Sequence, residues 1–381
     1  SYRSLSRLDI NYFLNVDEGA VMGLSPSELP NYNLKWETTD QYNAGVDLGI
    51  LKNRLNFTFD VYYKLTKDML LQADVPGQSG SFKQWQNIGK VENKGVEFSL
   101  NSLNISTNNF SWRTNFNISA NRNKILSLGE VSSIPVSISD GVINEIARLK
   151  VGEAIGSGWG YVFDGIYQTS DFNEDGSLKD GIVSIKGVNS KPGDVKFKSL
   201  NEDNEVDPVN DKTVISRSEP KFFGGLTNSF EYKDFFLSAF FHFSYGNEVI
   251  NIGRWKYEGY SAYYNITEDY YKNSWSETNP SNSLPAIKGA GKNESSSYYV
   301  EDASFIRLQN LSFGYNIPFK HLKPIGINSC QLSLSIDNLL LLTKYTGFDP
   351  EVSYWNRLIT GLDNVTYPRS RSFSLGININ L

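Results

Sequence analysis

Apolar and polar residues alternate along much of this chain with the period of two that a half-buried β-strand requires. The terminal stretch RSFSLGININL carries the pattern to the last residue. Phe373, Leu375, Ile377, Ile379 and Leu381 fall on one face, with Ser372, Ser374, Gly376, Asn378 and Asn380 on the other. A chain end frays unless it is tied down, so this segment predicts a strand that is hydrogen-bonded to a neighbour and has an apolar medium beside it. Residues 54–65, RLNFTFDVYYKL, repeat the pattern. Leu55, Phe57, Phe59, Val61, Tyr63 and Leu65 oppose Asn56, Thr58, Asp60 and Lys64, and Tyr62 alone breaks phase.

Three tight hairpins follow. A run over residues 41–51 meets residues 54–65 through Lys52 and Asn53, residues 91–105 return as 110–126 across 106–109, and residues 222–232 return as 235–245 across Lys233 and Asp234. Further strands are predicted over residues 303–317 and 329–339, ahead of the terminal one. Within SFIRLQNLSFGYNIP, residues 304–318, the apolar positions change face near Gln309 and Asn310, as a β-bulge would make them do. The total is about ten to twelve strands, many longer than the ~5–6 residues common in globular proteins. Connections alternate in length, short at 52–53, 106–109, 233–234 and 319–328, long and polar at about 70–90, 127–145, 167–219, 247–301 and 340–368. In a compact soluble domain, structureless connections of ~20 residues or more would count against the assignment. Short turns at one end and long loops at the other are instead the arrangement of an outer-membrane barrel.

A soluble β-sandwich or jelly roll would also alternate. Two features favour a bilayer. The predicted strands reach the ~9–11 residues that cross it at a tilt, and aromatic residues crowd their ends: Trp36, Tyr42, Tyr62, Tyr63, Trp112, Tyr232, Phe235, Phe236, Tyr245 and Tyr315. Interfacial girdles have this composition. Of 381 residues, 14% are aromatic and only 20% charged. The mean hydropathy of -0.37 is compatible with a membrane barrel, because alternating faces average out as hydrophilic. No stretch approaches the ~20 apolar residues of a membrane helix. The net charge of -6 argues against nucleic acid as a partner. Cys330 is the only cysteine, which excludes an internal disulfide, and His242 and His321 leave little material for histidine metal sites or triads. No basic segment followed by an apolar one opens the chain, so a secretory signal is expected to be absent or already removed.

Several segments, taken in order, resemble the C-terminal half of SusC/RagA-like TonB-dependent outer-membrane transporters. They are NIGKVENKGVEFSL (87–100), KVGEAIGSGWGYVFDGIYQT (150–169), EPKFFGGLTNSFEYKDFFLSAFFHFSYG (219–246), ASFIRLQNLSFGYNIP (303–318), TGFDPEVS (346–353) and YPRSRSFSLGININL (367–381). The resemblance covers nearly all of the chain after Trp36. It implies an all-β transmembrane antiparallel barrel of about 22 strands, of which residues 1–381 would be the C-terminal part, with the plug and TonB-contacting segment outside them. It further implies active import of oligosaccharides or peptides, energy passed through the TonB complex, a SusD-like surface lipoprotein as partner, and residence in outer-membrane lipid of a Gram-negative bacterium. Two departures stand out. The chain ends on Leu381 where an aromatic residue is more familiar, and SLNEDNEVDPVND (199–211) has Ser199 and Asn204 where such chains often carry Asp and Gly in an acidic loop. A passive porin, a structural barrel or a soluble carbohydrate-binding β-domain are the alternatives.

Candidate chemistry sits in the long connections. A calcium loop of EF type needs oxygen ligands at positions 1, 3 and 5, Gly at 6 and a bidentate acid at 12. Asp171, Asn173, Asp175 and Gly176 meet the first part, but position 12 is Ile182, and Asp180 would have to substitute. Asn201, Asp203 and Asp211 form a weaker candidate. Otherwise both are solvated acidic turns, and no other cofactor is implied. Residues 254–275 concentrate rings: Trp255, Tyr257, Tyr260, Tyr263, Tyr264, Tyr270, Tyr271 and Trp275. Such rings either pack the loop on itself or grip sugars or peptides while keeping a polar edge wet. Trp255, Tyr257, Tyr260, Tyr263 and Tyr264 are the candidates to face a ligand or a partner, and Trp85 reads as a loop anchor. No nucleophile elbow, phosphate loop, zinc spacing or distinguishable carboxylate pair points to an enzyme.

Overall fold

The computed structural model describes residues 7–16, 19–76, 78, 83–137, 145–258, 264–352 and 358–380; Leu381 lies outside them. Two strands unanticipated by the pattern come first, β1 (Arg7–Val16) and β2 (Gly19–Glu28), paired as a separate hairpin. The remaining long strands form one antiparallel sheet: β3 (Thr38–Ile50), β4 (Leu55–Asp74), β5 (Lys83–Ser106), β6 (Phe110–Leu128), β7 (Phe222–Tyr232), β8 (Phe235–Tyr245), β9 (Phe305–Asn316), β10 (Ser329–Thr343) and β11 (Ser372–Asn380). They hydrogen-bond in chain order, each to the next, from β3 at one edge to β11 at the other. Such a meander needs no crossover, because each strand returns beside its predecessor.

The short connections lie together at one end of the sheet. Leu51, Lys52 and Asn53 turn the chain with φ of 53°, 56° and 61°, and Lys233 does so at φ 53°. Backbone bonds stitch neighbouring turns into a row: the Lys233 amide donates to the Asn109 carbonyl, and the Asn316 amide to that of Asp234, both at 2.8 Å.

Register converts the alternation of each strand into two continuous faces. Leu48, Phe57, Leu100, Phe116, Leu226, Phe241, Leu308 and Leu340 oppose one another in a single row from β3 to β10. On the other face the neighbouring row reads Asp47, Thr58, Ser99, Asn117, Gly225, His242 and Arg307. Among the described residues none packs over the apolar face of the last strand; Leu375 is 87% exposed and Ile377 69%. So long an uncovered apolar surface marks contact with another apolar phase.

Aromatic residues border this face at both ends. Near the short turns Trp112 stacks on Phe230 at 5.7 Å and Phe235 meets Tyr315 at 4.6 Å; near the long loops Tyr42 opposes Tyr63 and Phe222 stacks on Tyr245 at 5.0 Å. Tyr62 and Phe236, expected among them, point to the polar face instead. Tyr62 opposes Gly95 and donates its hydroxyl to Asn121 Oδ1 at 2.9 Å, and the Phe236 ring fills the space that a side chain at Gly314 would occupy. Trp36 precedes β3 and is 85% exposed.

The expected bulge is present, with a counterpart beside it. Asn310 opposes Phe240 but Leu308 opposes Phe241, so Gln309 is an extra residue relative to β8. On β10, Asp337 opposes Asn310 while Leu340 opposes Leu308, and Asn338 takes φ 53° to absorb the surplus. Leu311 and Phe313 below the bulge and Leu308 and Ile306 above it therefore share the apolar face, and Arg307 turns to the polar one. A second expectation is corrected: most of residues 70–90 is ladder, because β4 continues to Asp74 and β5 begins at Lys83. The interruption is local. Asp68 adopts φ 56°, and the Asn87 amide closes the gap by donating to the carbonyls of Asp68 at 2.7 Å and Lys35 at 3.0 Å.

The two faces are separable by experiment. A spin label on Leu375→Cys, with Cys330→Ala in the background, is expected to collide with dissolved oxygen in the bilayer. The same label on Ser374→Cys should collide with a water-soluble nickel chelate. Equal accessibility of both sites to the chelate would overturn the assignment of faces.

Candidate functional site

The long connections fold together instead of running free. Short strands at Ser133–Val136, Ala147–Lys150, Gly158–Tyr161 and Lys212–Ser216 make a four-stranded sheet, and Glu248–Asn251, Val300–Asp302 and Leu362–Asp363 a three-stranded one. Ile146, Leu149, Ile250, Ile252, Tyr299, Ile359 and Leu362 bury a common core against Leu71, Val91, Ile125 and Leu128 from the ends of β4, β5 and β6. Loops of this length therefore hold their shape by apolar burial, at ~25 cal/mol per Å² removed from water.

One helical turn organises the polar centre of this cap. Over Ile252–Glu258 the i,i+4 spacing sets Arg254 against Glu258. The guanidinium donates to both carboxylate oxygens at 2.6 and 3.2 Å and to the Tyr298 carbonyl at 3.0 Å, and it lies 4.7 Å from the Tyr298 ring. Tyr298 in turn donates its hydroxyl to Glu258 at 2.5 Å. Burial, then the Glu258 charge, holds the Tyr298 and Tyr270 phenols well above their usual range. Beside this network lies a cleft of about 550 Å³, lined among others by Arg254, Tyr257, Glu258, Asp269, Phe348 and Asp363. It presents aromatic surface beside carboxylates and a cation, a combination that can hold a ring or an amide-rich solute.

Lys292 is 5% exposed and fills a nest of oxygen atoms. Its ammonium donates to the carbonyls of Ile287 at 2.6 Å, Ala286 at 3.0 Å and Glu258 at 3.4 Å. Burial lowers its pKa to about 8 even though Glu258 and Asp194 oppose the shift. The position of Lys292 marks it as a structural pin of the cap.

The cap meets the sheet through an ion cluster. Arg307, turned inward by the Gln309 bulge and 3% exposed, donates to Asp349 at 2.6 Å and lies 2.9 Å from Glu351. Arg369 at 3.3 Å and His242 at 3.6 Å complete the surroundings of Glu351. The segment with Asp349, Pro350 and Glu351 is thereby held on the polar face of β8 and β9.

The candidate rings do not share one surface. Trp255 packs against the cap core with its indole nitrogen 3.3 Å from Asn293 Oδ1, and Tyr257 lines the cleft. Tyr264 is exposed, while Tyr260 and Tyr263 lie outside the described residues. Tyr270 and Trp275 are buried, Trp275 bonding Gln168 at 2.9 Å, and Tyr271 is exposed. Trp85 is held by Glu28 at 3.0 Å, as an anchor would be.

The acidic turns spend their oxygen atoms on their own chain. Asp171 accepts from the Gln168 amide at 3.0 Å and Asp175 from Ser177 at 2.9 and 2.6 Å, while the Asn173 amide donates to Ser177. The Ser177 hydroxyl and amide hold the Asp175 carboxyl below its usual range. Asn201 and Asp203 both accept from the Ser199 hydroxyl, and Asp211, fully buried, accepts from the amides of Leu200 at 2.6 Å and Asp207 at 2.8 Å. Among the described residues no three His, Cys, Asp or Glu side chains converge at metal-binding range, and Asp180 joins no such group.

Sequence reasoning missed Arg254, Glu258, Lys292, Tyr298 and the Arg307 cluster. Only the i,i+4 pair had a local signal. Arg307 and Asp349 are 42 positions apart.

Comparison with known proteins adds the lineage. The family described as TonB dependent receptor-like, beta-barrel matches residues 1–339. TonB-dependent receptor P3 of Formosa agariphila is 36% identical over 386 residues, covering 99% of this chain and 37% of the relative. TonB-dependent receptor SusC of Bacteroides thetaiotaomicron is 30% identical over 360 residues, covering 92% and 32%. Among solved structures, the RagAB peptide transporter superposes with a TM-score of 0.74 at 24% identity, over 99% of this chain and 39% of that one. The chain thus spans less than two fifths of the length of these relatives.

Two outcomes test the cap. Arg307→Met strands a buried carboxylate and should cost about 3–5 kcal/mol locally, read as new protease cleavage near residue 349; replacing Asp349 by Leu in the same chain should restore protection. For Lys292, the unfolded chain binds the proton more tightly than the folded one between pH 8 and its ordinary range, so resistance of residues 285–300 to subtilisin should rise from pH 8 toward 10. Above pH 10 it should fall, because the buried phenols keep protons that unfolded tyrosines lose. Lys292→Met should abolish the rise and leave the fall.

Proposed function

Since the chain belongs to the TonB-dependent receptor-like β-barrel family of the outer membrane, we propose that residues 1–381 are the C-terminal part of an active importer of oligosaccharides or peptides. In this reading the eleven long strands are about half of a barrel of about 22. The plug and the TonB-contacting segment belong to the remainder of the receptor. A SusD-like surface lipoprotein closes over the cap.

The observation that carries this reading is the pair of open edges. Every position of β3 and of β11 is exposed, and open edges are not tolerated in hydrocarbon. In this reading further strands of the receptor cover both edges. The polar face then lines a lumen wide enough for solutes larger than a passive pore admits. The relatives support the same activity: one solved structure is of a peptide transporter, and another relative carries the SusC name.

Within the cap, Tyr257 and Phe348 supply flat apolar surface, and Glu258, Asp269, Asp363 and Arg254 supply polar partners around the same cleft. That pairing suits a sugar ring as well as a short peptide. Tyr257→Ala should lower uptake with the amount of receptor in the membrane unchanged. Trp255→Ala should act through looser packing of the cap, seen as faster proteolysis.

The direct test is mass spectrometry of the complex extracted from outer membranes in detergent. A longer or companion polypeptide, a lipidated partner and a bound glycan or peptide are expected. A lone chain of 42.9 kDa that forms a closed pore with neither partner nor ligand would overturn the proposal in favour of a porin.

A further inference from the structure

The cleft beside the Arg254 network carries a charge imbalance that its own chain leaves uncorrected. Among its described lining residues Arg254 is the one cation, against the carboxylates of Glu258, Asp269 and Asp363. That guanidinium is already engaged. It donates to both oxygens of Glu258 and to the Tyr298 carbonyl, and it stands 3.6 Å from Glu301. An anion entering the cleft would have to compete with two carboxylates for it.

Asp269 and Asp363 have no such partner. Asp269, exposed in the first turn of the Glu268–Asn273 helix, accepts the Asn273 side-chain amide at 2.7 Å. Asp363 is 2% exposed and accepts the Thr366 amide at 2.8 Å and the Tyr345 hydroxyl at 2.7 Å. All three donors are neutral. The lysines of the two helices are used elsewhere, Lys272 on Glu268 and Lys256 on Asn364 Oδ1 at 2.7 Å. A buried carboxylate without an opposite charge is costly, so a cation that reaches Asp363 through the cleft is favoured there.

The apolar wall fits the same occupant. Phe348, 57% exposed, and Tyr257 both line the cleft. An aromatic face attracts an ammonium or a guanidinium, and the methylene stem of a basic side chain packs on apolar surface while its head stays among polar groups. The volume of about 550 Å³ falls in the range of sites that hold small ligands.

We propose that this cleft takes the lysine or arginine side chain of an incoming peptide, its cationic head paired with Asp269 and Asp363 and its stem on Tyr257 and Phe348. The inference rests on the importer reading above and narrows its cargo. A neutral oligosaccharide would leave the excess negative charge as it is, and a sugar bearing carboxylates or sulfates would add to it.

The test is calorimetric titration of the detergent-extracted receptor complex with three heptapeptides that differ only at the central residue, lysine, glutamine or glutamate, and with a hexamer of glucosamine as a cationic sugar. The lysine peptide is expected to bind roughly tenfold more tightly than the glutamine one and the glutamate peptide least tightly, with the spread shrinking as salt is raised. Asp269→Asn and Asp363→Asn should each narrow the preference for lysine. Asp269→Lys, at an exposed position that the fold tolerates, should reverse the order in favour of glutamate. Glu268→Gln removes an equal charge that Lys272 already neutralises outside the lining, and should leave the order unchanged. Equal affinities for the three peptides, no peptide binding, or tighter binding of the glucosamine hexamer would overturn the site, while a copurified partner and cargo would still support the importer. A complex with neither partner nor cargo would instead overturn the importer reading.

Discussion

The constraint on which this structure depends is that backbone amides and carbonyls inside hydrocarbon have only each other as partners. A β-sheet meets that demand between strands, never within one, so every strand of the wall must have a neighbour on each side. The continuous ladder from β3 to β11 is the consequence. Apolar residues facing one way and Asn, Ser, Thr and charged residues facing the other follow from the pleat once the ladder is in place.

Irregularities in that ladder place the functional parts. At Gln309 one surplus residue returns Ile306 and Leu308 to the lipid face and sends Arg307 inward. Without it the phase of β9 would carry a guanidinium toward lipid, at a cost of about 2–4 kcal/mol near the bilayer midplane. With it, Arg307 becomes the post to which Asp349 and Glu351 are tied, and the 344–352 segment is held over the lumen face. The bulge at Asp68 is satisfied in the same economical way, by the amide of Asn87. The first Asn of the NIGKVENKGVE segment therefore completes hydrogen bonding at an irregularity, and Gly95 makes room for the inward Tyr62 ring.

Beyond the bilayer the rules change, since water can serve any exposed backbone group. There the chain builds a second, smaller core from Ile250, Ile252, Tyr299 and Leu362 and sets a buried polar network of Arg254, Glu258 and Tyr298 within it. A network whose members are all paired rigidifies its surroundings. It gives the cleft beside Tyr257 a fixed wall, and a fixed wall lowers the ordering cost of binding a solute there.

The amino-acid sequence by itself determined the strands and their faces, because period-two alternation is local and one face of a membrane strand must be apolar. It also announced the bulge, as a change of phase at Gln309 and Asn310, and the long and short connections that give the wall its polarity. Neither β1, although Leu8, Ile10, Tyr12, Leu14 and Val16 alternate there, nor β2, where alternation is weak, was read as a strand, nor was the extension of β4 and β5 through residues 66–74 and 83–90, where polar residues read as loop. The phase of its strand already set Tyr62 apart, but the space that admits it and Phe236, left by a glycine on a neighbouring strand, Gly95 and Gly314, had no local sign. The cap was illegible for the same reason on a larger scale. Its core, ion pairs and hydrogen bonds join residues tens of positions apart, Arg307 with Asp349 and Arg254 with the Tyr298 carbonyl, and only the tertiary structure, by deciding which loops share space, decides which charges are neutralised and which rings remain free to meet a ligand.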